Sequence, residues 1–124
     1  MICPFCSPDN IIFKNELAYV KADAFPVSKG HLLIIPFRHA PTWFDMSKDE
    51  QGAVIELIQI SKDYLDEKYS PDGYNIGLNC GEPAGQTIMH AHLHIIPRYL
   101  GDVKNPKGGV RAVIAAKKEY PSLK

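Results

Sequence analysis

The segment QTIMHAHLHIIPRY, residues 86–99, places three of the chain's five histidines at alternate positions, His90, His92 and His94. Successive side chains of a β-strand point to opposite faces, so a strand through this segment carries all three imidazoles on one face. The residues between them are alanine and leucine, with isoleucine following, and they give the other face the apolar character of a core. On a helix, residues two positions apart would diverge. The alternation therefore predicts a strand with a histidine face.

A row of imidazoles on one strand face is open to three interpretations. It is a solvated polar face, a three-histidine metal site, or a site of nucleophilic catalysis. Strand-borne imidazoles two residues apart can share a zinc ion. In catalysis, one ring attacks while its neighbours hydrogen-bond its other nitrogen and the developing charge. Neutral imidazole has a free lone pair near pH 7, which suits attack at phosphorus.

Length and charge limit the class of protein. A chain of 124 residues suits one domain, 1–124, with a modest core. The formal net charge of zero argues against a nucleic-acid-binding protein. No apolar run approaches the ~20 residues of a membrane helix. Residues 98–124 nevertheless hold seven Lys or Arg against two acidic residues, so the basic C-terminal segment 101–124 is either a solvated face or a contact for an anionic ligand.

The first residues, MICPFCSPDN, lack the basic lead and long apolar stretch of a signal peptide. A cytoplasmic, reducing location is therefore expected. In that setting Cys3, Cys6 and Cys80 are thiols or metal ligands rather than disulfides.

Local patterns predict an α+β domain with an antiparallel sheet. Ser47 to Glu50 matches a capping box, and apolar residues at helical spacing follow it, so we predict a long helix over 48–69. The sequence SPDG at 70–73 ends the long helix. The predicted strands are 16–23, 31–37, 73–80 and 88–98, the last ended by Pro97. The order of strands, helix and strands favours α+β over a parallel βαβ fold.

Three segments together resemble one protein family. The stretch His90-Ala-His-Leu-His-Ile-Ile is similar to the motif of the histidine triad (HIT) proteins. Asn79 with the loop EPAGQT at 82–87 resembles the family's phosphate-binding loop, and residues 23–36 resemble its nucleoside-binding segment. The resemblance covers residues 1–115. It implies a HIT-like fold, in which a bent antiparallel sheet of about five strands carries the long helix 48–69 and a short helix lies near 42–46. It also implies a homodimer in which two sheets join edge to edge.

The resemblance also implies catalytic roles. His92 is expected to attack the α-phosphorus of a nucleotide, giving a nucleotidyl-histidine that water cleaves. His94 would hydrogen-bond the phosphate oxygens, His31 would join the imidazole network, and Thr87 would donate to the leaving oxygen. The nucleotide-binding residues implied by the family are Asp23 for ribose, Phe25 and Val27 beside the base, and Asn79, Gly85, Gln86, Thr87 and His94 for phosphate or ribose. The backbone amides of 85–87 would also cradle phosphate.

The implied activity is hydrolysis of a nucleoside polyphosphate such as diadenosine tetraphosphate, because PAGQT before the triad and Pro97-Arg98 after it look like that branch of the family. Lys104, Lys107 and Arg111 are expected to receive the additional phosphates. The alternatives are a phosphoramidate hydrolase, a nucleotidyl transferase or phosphorylase, and a zinc-stabilised nucleotide-binding protein with little turnover. Magnesium accompanying the substrate is an additional possibility.

The pair Cys3-Pro-Phe-Cys6 has two interpretations. A glutaredoxin-like redox centre needs a preceding strand, for which two residues leave no room. The other is a zinc knuckle within residues 1–10, which needs two further ligands. Some HIT proteins with such a pair bind structural zinc through a histidine after a Pro-x-Arg stretch and the first triad histidine. These correspond to His39 and His90, which would leave His92 free to attack.

Overall fold

The computed structural model describes residues 3–121, so the two ends of the predicted domain, 1–2 and 122–124, lie outside the described residues. One five-stranded antiparallel sheet has the spatial order β1-β2-β3-β5-β4. The strands are β1 Phe13–Lys14, β2 Ala18–Ala22, β3 Leu32–Pro36, β4 Gly73–Gly77 and β5 Leu93–Arg98. One long helix, α1, spans Lys48–Tyr69, and 3₁₀ turns occupy Trp43–Asp45, Glu82–Ala84, Gly109–Val113 and Ala115–Lys117. The predicted α+β class and the long helix over 48–69 are confirmed.

The central strand β3 separates two apolar clusters, which explains its uninterrupted apolar sequence. Helix α1 packs on one face of the sheet, where Val54, Leu57 and Leu65 meet Ile34 and Ile95. A smaller cluster covers the opposite face of β2 and β3, and it consists of Phe5, Tyr19, Leu33 and Ile35. Residues 93, 95 and 97 of β5 are buried while 94, 96 and 98 are half-buried. The side chain at position 94 therefore lies on the face away from α1.

The strand through the histidines is shorter than predicted, because β5 begins at Leu93 rather than near residue 88. The preceding segment hydrogen-bonds to the last residue of β3 and to the loop that follows it, without forming a strand ladder. Ala91 N–H donates to the Ala40 carbonyl at 2.7 Å, and His90 Nε2–H donates to the Pro36 carbonyl at 2.7 Å. Because β5 starts late, its partner β4 ends at Gly77 rather than at residue 80.

Pro97 does not end β5, which continues to Arg98. The Arg98 carbonyl accepts from Asp72 N–H, on the β4 side, so the backbone nitrogen of Pro97 faces the β3 side. Pairing with β3 stops at Ile95, opposite Leu32. The missing N–H of Pro97 thus costs no ladder bond.

The capping box of α1 is extended by an ion pair between the buried Glu50 carboxylate and the largely exposed Arg38 side chain. Ser47 Oγ accepts from Glu50 N–H at 3.1 Å, and Glu50 Oε1 accepts from Ser47 N–H at 2.8 Å. Glu50 is only 4% exposed, and Arg38 donates to its carboxylate from Nε and Nη2. These hydrogen bonds from Arg38 lower the pKa of Glu50, and those from Ser47 add to the effect. None of the helices in residues 3–121 combines the length and apolar composition needed to cross a membrane.

Replacing Glu50 with alanine should therefore lower the free energy of unfolding by about 2–3 kcal/mol, since it removes the cap and leaves Arg38 without its carboxylate. Urea denaturation at pH 7 measures the change. Asp49→Ala in the same helical turn is the matched control, because Asp49 is exposed and should contribute within about 0.5 kcal/mol. Equal losses in the two variants would contradict the structural role of Glu50.

Candidate active site and metal-binding cluster

Three of the predicted site residues form a hydrogen-bonded group at one end of β3. His31 Nε2 lies 2.9 Å from His94 Nδ1 and 3.4 Å from Asp23 Oδ2. The side chain of His31 is 3% exposed, that of Asp23 16% and that of His94 23%, so only the last two keep a sizeable open surface. His31 directly precedes β3, and the pairing of Leu33 with His94 brings His31 close to the histidine of β5.

Hydrogen bonds to the backbone determine where the protons of this group reside. Val27 N–H points at His31 Nδ1 at 3.1 Å, so this nitrogen is an acceptor and the proton of neutral His31 is on Nε2. His31 Nε2–H then donates to His94 Nδ1, which leaves the proton of His94 on Nε2. The outer nitrogen of His94 is therefore an N–H donor. With His31 Nε2 occupied in this way, the Asp23–His31–His94 group is not arranged to bind a metal.

His92 carries its proton on the other ring nitrogen from His94. Its Nδ1 lies 2.8 Å from the His90 carbonyl, which can only accept, so Nδ1 carries the proton and Nε2 carries the lone pair. The ring is half-buried, with its centroid 5.1 Å from that of His94 and 5.1 Å from that of Phe5. A nucleophilic ring nitrogen and an N–H donor thus lie on neighbouring imidazoles.

Burial keeps the two supporting rings uncharged. The pKa of His94 is lowered to about 4, mainly by burial and then by the nearby His92 and His31 rings, against an opposing effect of Asp23. Burial also lowers the pKa of His31, while Asp23 acts to raise it. Both rings are therefore neutral at pH 7, as the hydrogen-bond pattern requires.

The low pKa of His94 predicts a loss of stability in acid. In the unfolded chain this histidine takes up a proton near pH 6.5, but in the folded protein only near pH 4. The unfolded state therefore binds more protons between these values, and the free energy of unfolding falls as the pH falls, by on the order of 2 kcal/mol between pH 6.5 and 4.5.

Urea denaturation of wild type and His94→Gln between pH 7 and 4.5 tests this expectation. The other titrating groups around the site, Asp23, His31 and His92, are present in both proteins and largely cancel in the difference. The wild-type curve should fall more steeply with decreasing pH than that of the variant. Two parallel curves would show that His94 does not resist protonation.

The loop after β4 differs in detail from the predicted phosphate cradle. Gln86 is 3% exposed; its side-chain oxygen accepts from Gly81 N–H, and its side-chain nitrogen donates to the Pro41 and Ile88 carbonyls. This side chain was expected to contact phosphate. It instead stabilises the loop, and both N–H groups of its amide are already used. The backbone N–H groups of Gly85 and Gln86 donate to the Glu82 and Gly81 carbonyls.

Thr87 is the member of this loop that remains available. It is exposed, and within residues 3–121 its backbone N–H has no acceptor. Asn79 is also exposed, and its side-chain nitrogen would lie 4.0 Å from a Cβ atom on Gly85, which has a φ of +95°. The loop therefore offers the Thr87 and Asn79 groups, rather than Gln86, to a ligand.

A cavity of about 360 Å³ adjoins Asn79 and is lined in part by Val27, His31, Asn79 and His94. Its size falls in the range of small-molecule sites. Phe25, expected beside the base, is 87% exposed and does not line this cavity.

The four predicted metal ligands, Cys3, Cys6, His39 and His90, come together in space. Their ligand atoms all lie within 4.8 Å of one another. Cys3 Sγ is 3.3 Å from His90 Nδ1, and Cys6 Sγ is 3.2 Å from His39 Nδ1 and 3.5 Å from His90 Nδ1. Tetrahedral zinc with ordinary Zn–S and Zn–N bonds separates sulfur from nitrogen by about 3.5 Å. The donor set and its spacing therefore fit a metal ion.

The surroundings of His90 support the same conclusion. The residue is fully buried, and its Nε2–H donates to the Pro36 carbonyl, so Nδ1 presents its lone pair to the cysteines. A backbone acceptor on the second ring nitrogen is the usual way in which proteins orient a metal-binding histidine.

Two contributors to the site were not predicted from the sequence. Phe5 packs against both the His90 and His92 rings, at 5.9 and 5.1 Å between centroids. The His90 carbonyl holds the tautomer of His92. The aromatic residue between the two cysteines is a signal that could have identified Phe5, whereas nothing local in the sequence indicates the role of a carbonyl.

The predicted phosphate role of Arg111 does not agree with its contacts. Its Nε donates to the Lys118 carbonyl at 3.1 Å and its Nη2 to the Lys117 carbonyl at 2.8 Å. The guanidinium also stacks over the Tyr120 ring at 4.2 Å. The side chain is committed within the C-terminal segment.

Known proteins resemble this chain over most of its length. An uncharacterized HIT-like protein of Methanocaldococcus jannaschii is 36% identical over 114 residues, which are 87% of this chain and 88% of that protein. A protein named bis(5'-adenosyl)-triphosphatase in Dictyostelium discoideum is 35% identical over 95 residues, or 77% of this chain. That match spans 64% of the Dictyostelium protein, less than two thirds of its length.

The fold is shared as well. The crystal structure of a HIT family protein from Bacillus anthracis matches 93% of this chain and 96% of its own, with a TM-score of 0.76 and 26% sequence identity. The model of the HIT domain matches residues 5–101, which include Cys6, the loop at 81–87 and all three histidines of the triad. The chain belongs to the HIT domain family.

Proposed function

We propose that this protein hydrolyses nucleoside polyphosphates of the diadenosine tetraphosphate type through a nucleotidyl-histidine on His92. The observation that carries the proposal is the hydrogen bond from His92 Nδ1–H to the His90 carbonyl. It leaves the Nε2 lone pair free, and it supports the positive charge that develops on the ring during attack. The named activity of the Dictyostelium relative, a dinucleoside triphosphatase, supports the same class of substrate.

The reaction has two steps. In the first, the Nε2 lone pair of His92 forms a bond to the α-phosphorus, the bond from phosphorus to the bridging oxygen breaks, and the remaining polyphosphate leaves with the electron pair. In the second, water attacks the same phosphorus, the phosphorus–nitrogen bond breaks, and its electron pair returns to Nε2. The water proton is released as the nucleoside monophosphate departs. A neutral nucleophile avoids repulsion by the anionic phosphates.

The neighbouring groups have roles that follow from their geometry. His94 Nε2–H is a donor for a phosphoryl oxygen, and its low pKa keeps Nδ1 free to accept from His31. Thr87 and Asn79 can donate to the phosphate chain from the loop. Asp23, with an oxygen already accepting from Phe25 N–H, retains a half-open carboxylate for ribose hydroxyls.

We also propose that zinc occupies the Cys3, Cys6, His39 and His90 cluster with a structural role. Four protein ligands close the coordination sphere, so the metal supplies rigidity and leaves no position for substrate. Immobilising His90 also immobilises the carbonyl that holds His92. His90 would then connect the N-terminal cysteines, through the shared metal, to the segment that carries the catalytic His92.

A homodimer is proposed through the outer edge of β4. Among residues 3–121 this five-residue edge has no paired strand, and Ile76 on it is 41% exposed. The other edge, β1, has only two residues. Exposed edges of this length are normally covered. Light scattering of the purified protein tests the proposal, and a monomeric mass would contradict it.

Product analysis with diadenosine tetraphosphate, diadenosine triphosphate and adenosine phosphoramidate tests the function itself. Hydrolysis should release AMP whether or not inorganic phosphate is present. Release of ADP only when phosphate is present would identify a phosphorylase. Preferred turnover of the phosphoramidate would identify that class of hydrolase. Tight binding without products would show a nucleotide-binding protein that lacks turnover.

A further inference from the structure

The C-terminal segment forms part of the cavity beside the histidines. Val110 and Val113, from the 3₁₀ turn at Gly109–Val113, line the same 360 Å³ cavity as His94 and Asn79. Residues three apart on a 3₁₀ helix lie above one another, so the two valines form one apolar wall. They are 66% and 77% exposed, which leaves apolar surface facing the space next to the catalytic group.

Arg111 lies between these valines in sequence but points elsewhere. Its Nε and Nη2 donate to the successive carbonyls of Lys118 and Lys117. The guanidinium also lies over the Tyr120 ring, which adds a cation–π interaction. This clasp, in which the Arg111 side chain binds the backbone carbonyls of Lys117 and Lys118, closes residues 109–118 into a compact loop. Lys118 Nζ also donates to the Asn105 carbonyl, which ties the end of the loop to the segment that precedes it.

The loop is seated against the sheet at a close contact. A Cβ atom on Gly109 would lie 3.3 Å from the side-chain nitrogen of Asn75, in β4. Asn75 is itself held by a 2.7 Å hydrogen bond from Arg98. Gly108, with a φ of +90°, lies so close to the Lys118 carbonyl that a side chain there would overlap it. The wall is therefore positioned by the clasp on one side and by β4 on the other.

We infer that Arg111 is a positioning residue for nucleoside binding: its clasp holds Val110 and Val113 as an apolar wall against the base of the substrate. The inference rests on the proposed function for the identity of the ligand. A flat, apolar base face suits a valine wall, and the polar Asn79 and His94 side of the cavity suits phosphate and ribose. The role of Arg111 is thus to position the wall rather than to attract phosphate.

Arg111→Ala and Arg111→Lys distinguish positioning of the loop by the Arg111 hydrogen bonds from attraction of phosphate by its positive charge. Lysine keeps the positive charge but lacks the fork that binds two carbonyls at once. If the clasp positions the valine wall, both variants should weaken the binding of uncharged adenosine about tenfold. They should also raise KM by the same factor, with little change in kcat. Lys117→Ala is the matched control, since it removes an exposed cation of the same loop and keeps the carbonyl that Arg111 binds.

A pair of glycine variants tests the same clasp from its other side. Gly108→Ala should displace the Lys118 carbonyl and weaken adenosine binding to the same extent as Arg111→Ala. Gly101→Ala is strained in the same way, at φ +80°, but a Cβ there meets nothing within 4 Å, so it should leave adenosine binding unchanged. Combining Gly108→Ala with Arg111→Ala should add little, because both changes release one contact.

Calorimetry with adenosine requires no turnover, so it separates this inference from the proposed function. If adenosine binding follows the pattern above while no nucleotide is cleaved, the clasp stands and the hydrolase proposal fails. Unchanged adenosine binding in both Arg111 variants overturns the clasp. So does a variant effect that grows with the number of phosphates and disappears in Arg111→Lys. A changed molecular mass of Arg111→Ala would instead assign the loop to a subunit interface.

Discussion

His92→Asn is expected to lower the turnover number on a dinucleoside polyphosphate by about 10⁴-fold or more, while nucleotide binding persists. Asparagine can keep a side-chain N–H near the His90 carbonyl, where Nδ1–H of the histidine now donates at 2.8 Å. It has no counterpart to Nε2. The substitution therefore removes the nucleophile and preserves the local hydrogen bond, which makes loss of turnover attributable to chemistry.

Two measurements make this result decisive. Brief incubation of wild type with a labelled dinucleotide, followed by acid-free peptide mapping, should place the nucleotidyl group on the peptide containing position 92, and the variant should carry none. His94→Ala is the companion variant: it removes a phosphate donor but leaves the nucleophile, so it should slow turnover and still form the adduct. Retention of a tenth or more of wild-type turnover by His92→Asn would falsify the nucleophile assignment.

Cys6→Ser is expected to abolish zinc binding and to lower the melting temperature by about 10–20 °C. Cys6 Sγ approaches both His39 and His90, so its loss opens the cluster on two sides. When the free metal concentration is a thousandfold above the dissociation constant, metal binding stabilises the folded state by about 4 kcal/mol. Loss of this stabilisation is the origin of the expected shift in melting temperature. Metal analysis of protein prepared without a histidine tag and thermal unfolding provide the two measurements.

Cys80→Ser is the matched control for this effect. Cys80 is a half-buried free thiol that does not belong to the cluster of Cys3, Cys6, His39 and His90. The control should keep one zinc per chain and nearly the wild-type melting temperature, and a chelator should destabilise the control and wild type but not Cys6→Ser. Zinc well below one per chain in the wild type would contradict the structural metal. Loss of a thiol reductase activity, without a change in melting temperature, would support the redox interpretation of Cys3 and Cys6.

Hydrogen-bonding patterns within a few residues were predictable from the sequence. The helix at Lys48–Tyr69 has the predicted bounds because its start signal, Ser47 with Glu50, and its stop signal, Ser70-Pro71, act over one turn of chain. Its buried positions 54, 57, 61 and 65 follow from the 3.6-residue repeat in the same way.

The strand limits and the function of the loop were less predictable, because they depend on partners far along the chain. The apolar alternation at 88–98 suited a strand throughout, but β5 begins only where β3 and β4 can pair with it. Gln86 looked like a phosphate ligand within its loop, yet the Pro41 carbonyl, 45 residues away, takes one of its two donor hydrogens. A buried amide must find such partners, and only the fold provides them.

The sequence by itself determined the helix, the α+β class and the grouping of chemical types, since periodicity, caps and alternation are local properties of the chain. Only the tertiary structure decided which nitrogen of each imidazole carries its proton. That choice rests on the His90 carbonyl for His92, and on Val27 N–H acting through His31 for His94. A sequence does not indicate which of the two imidazole nitrogens carries the proton. That is decided only when the fold places a group that can only donate or only accept next to one of them.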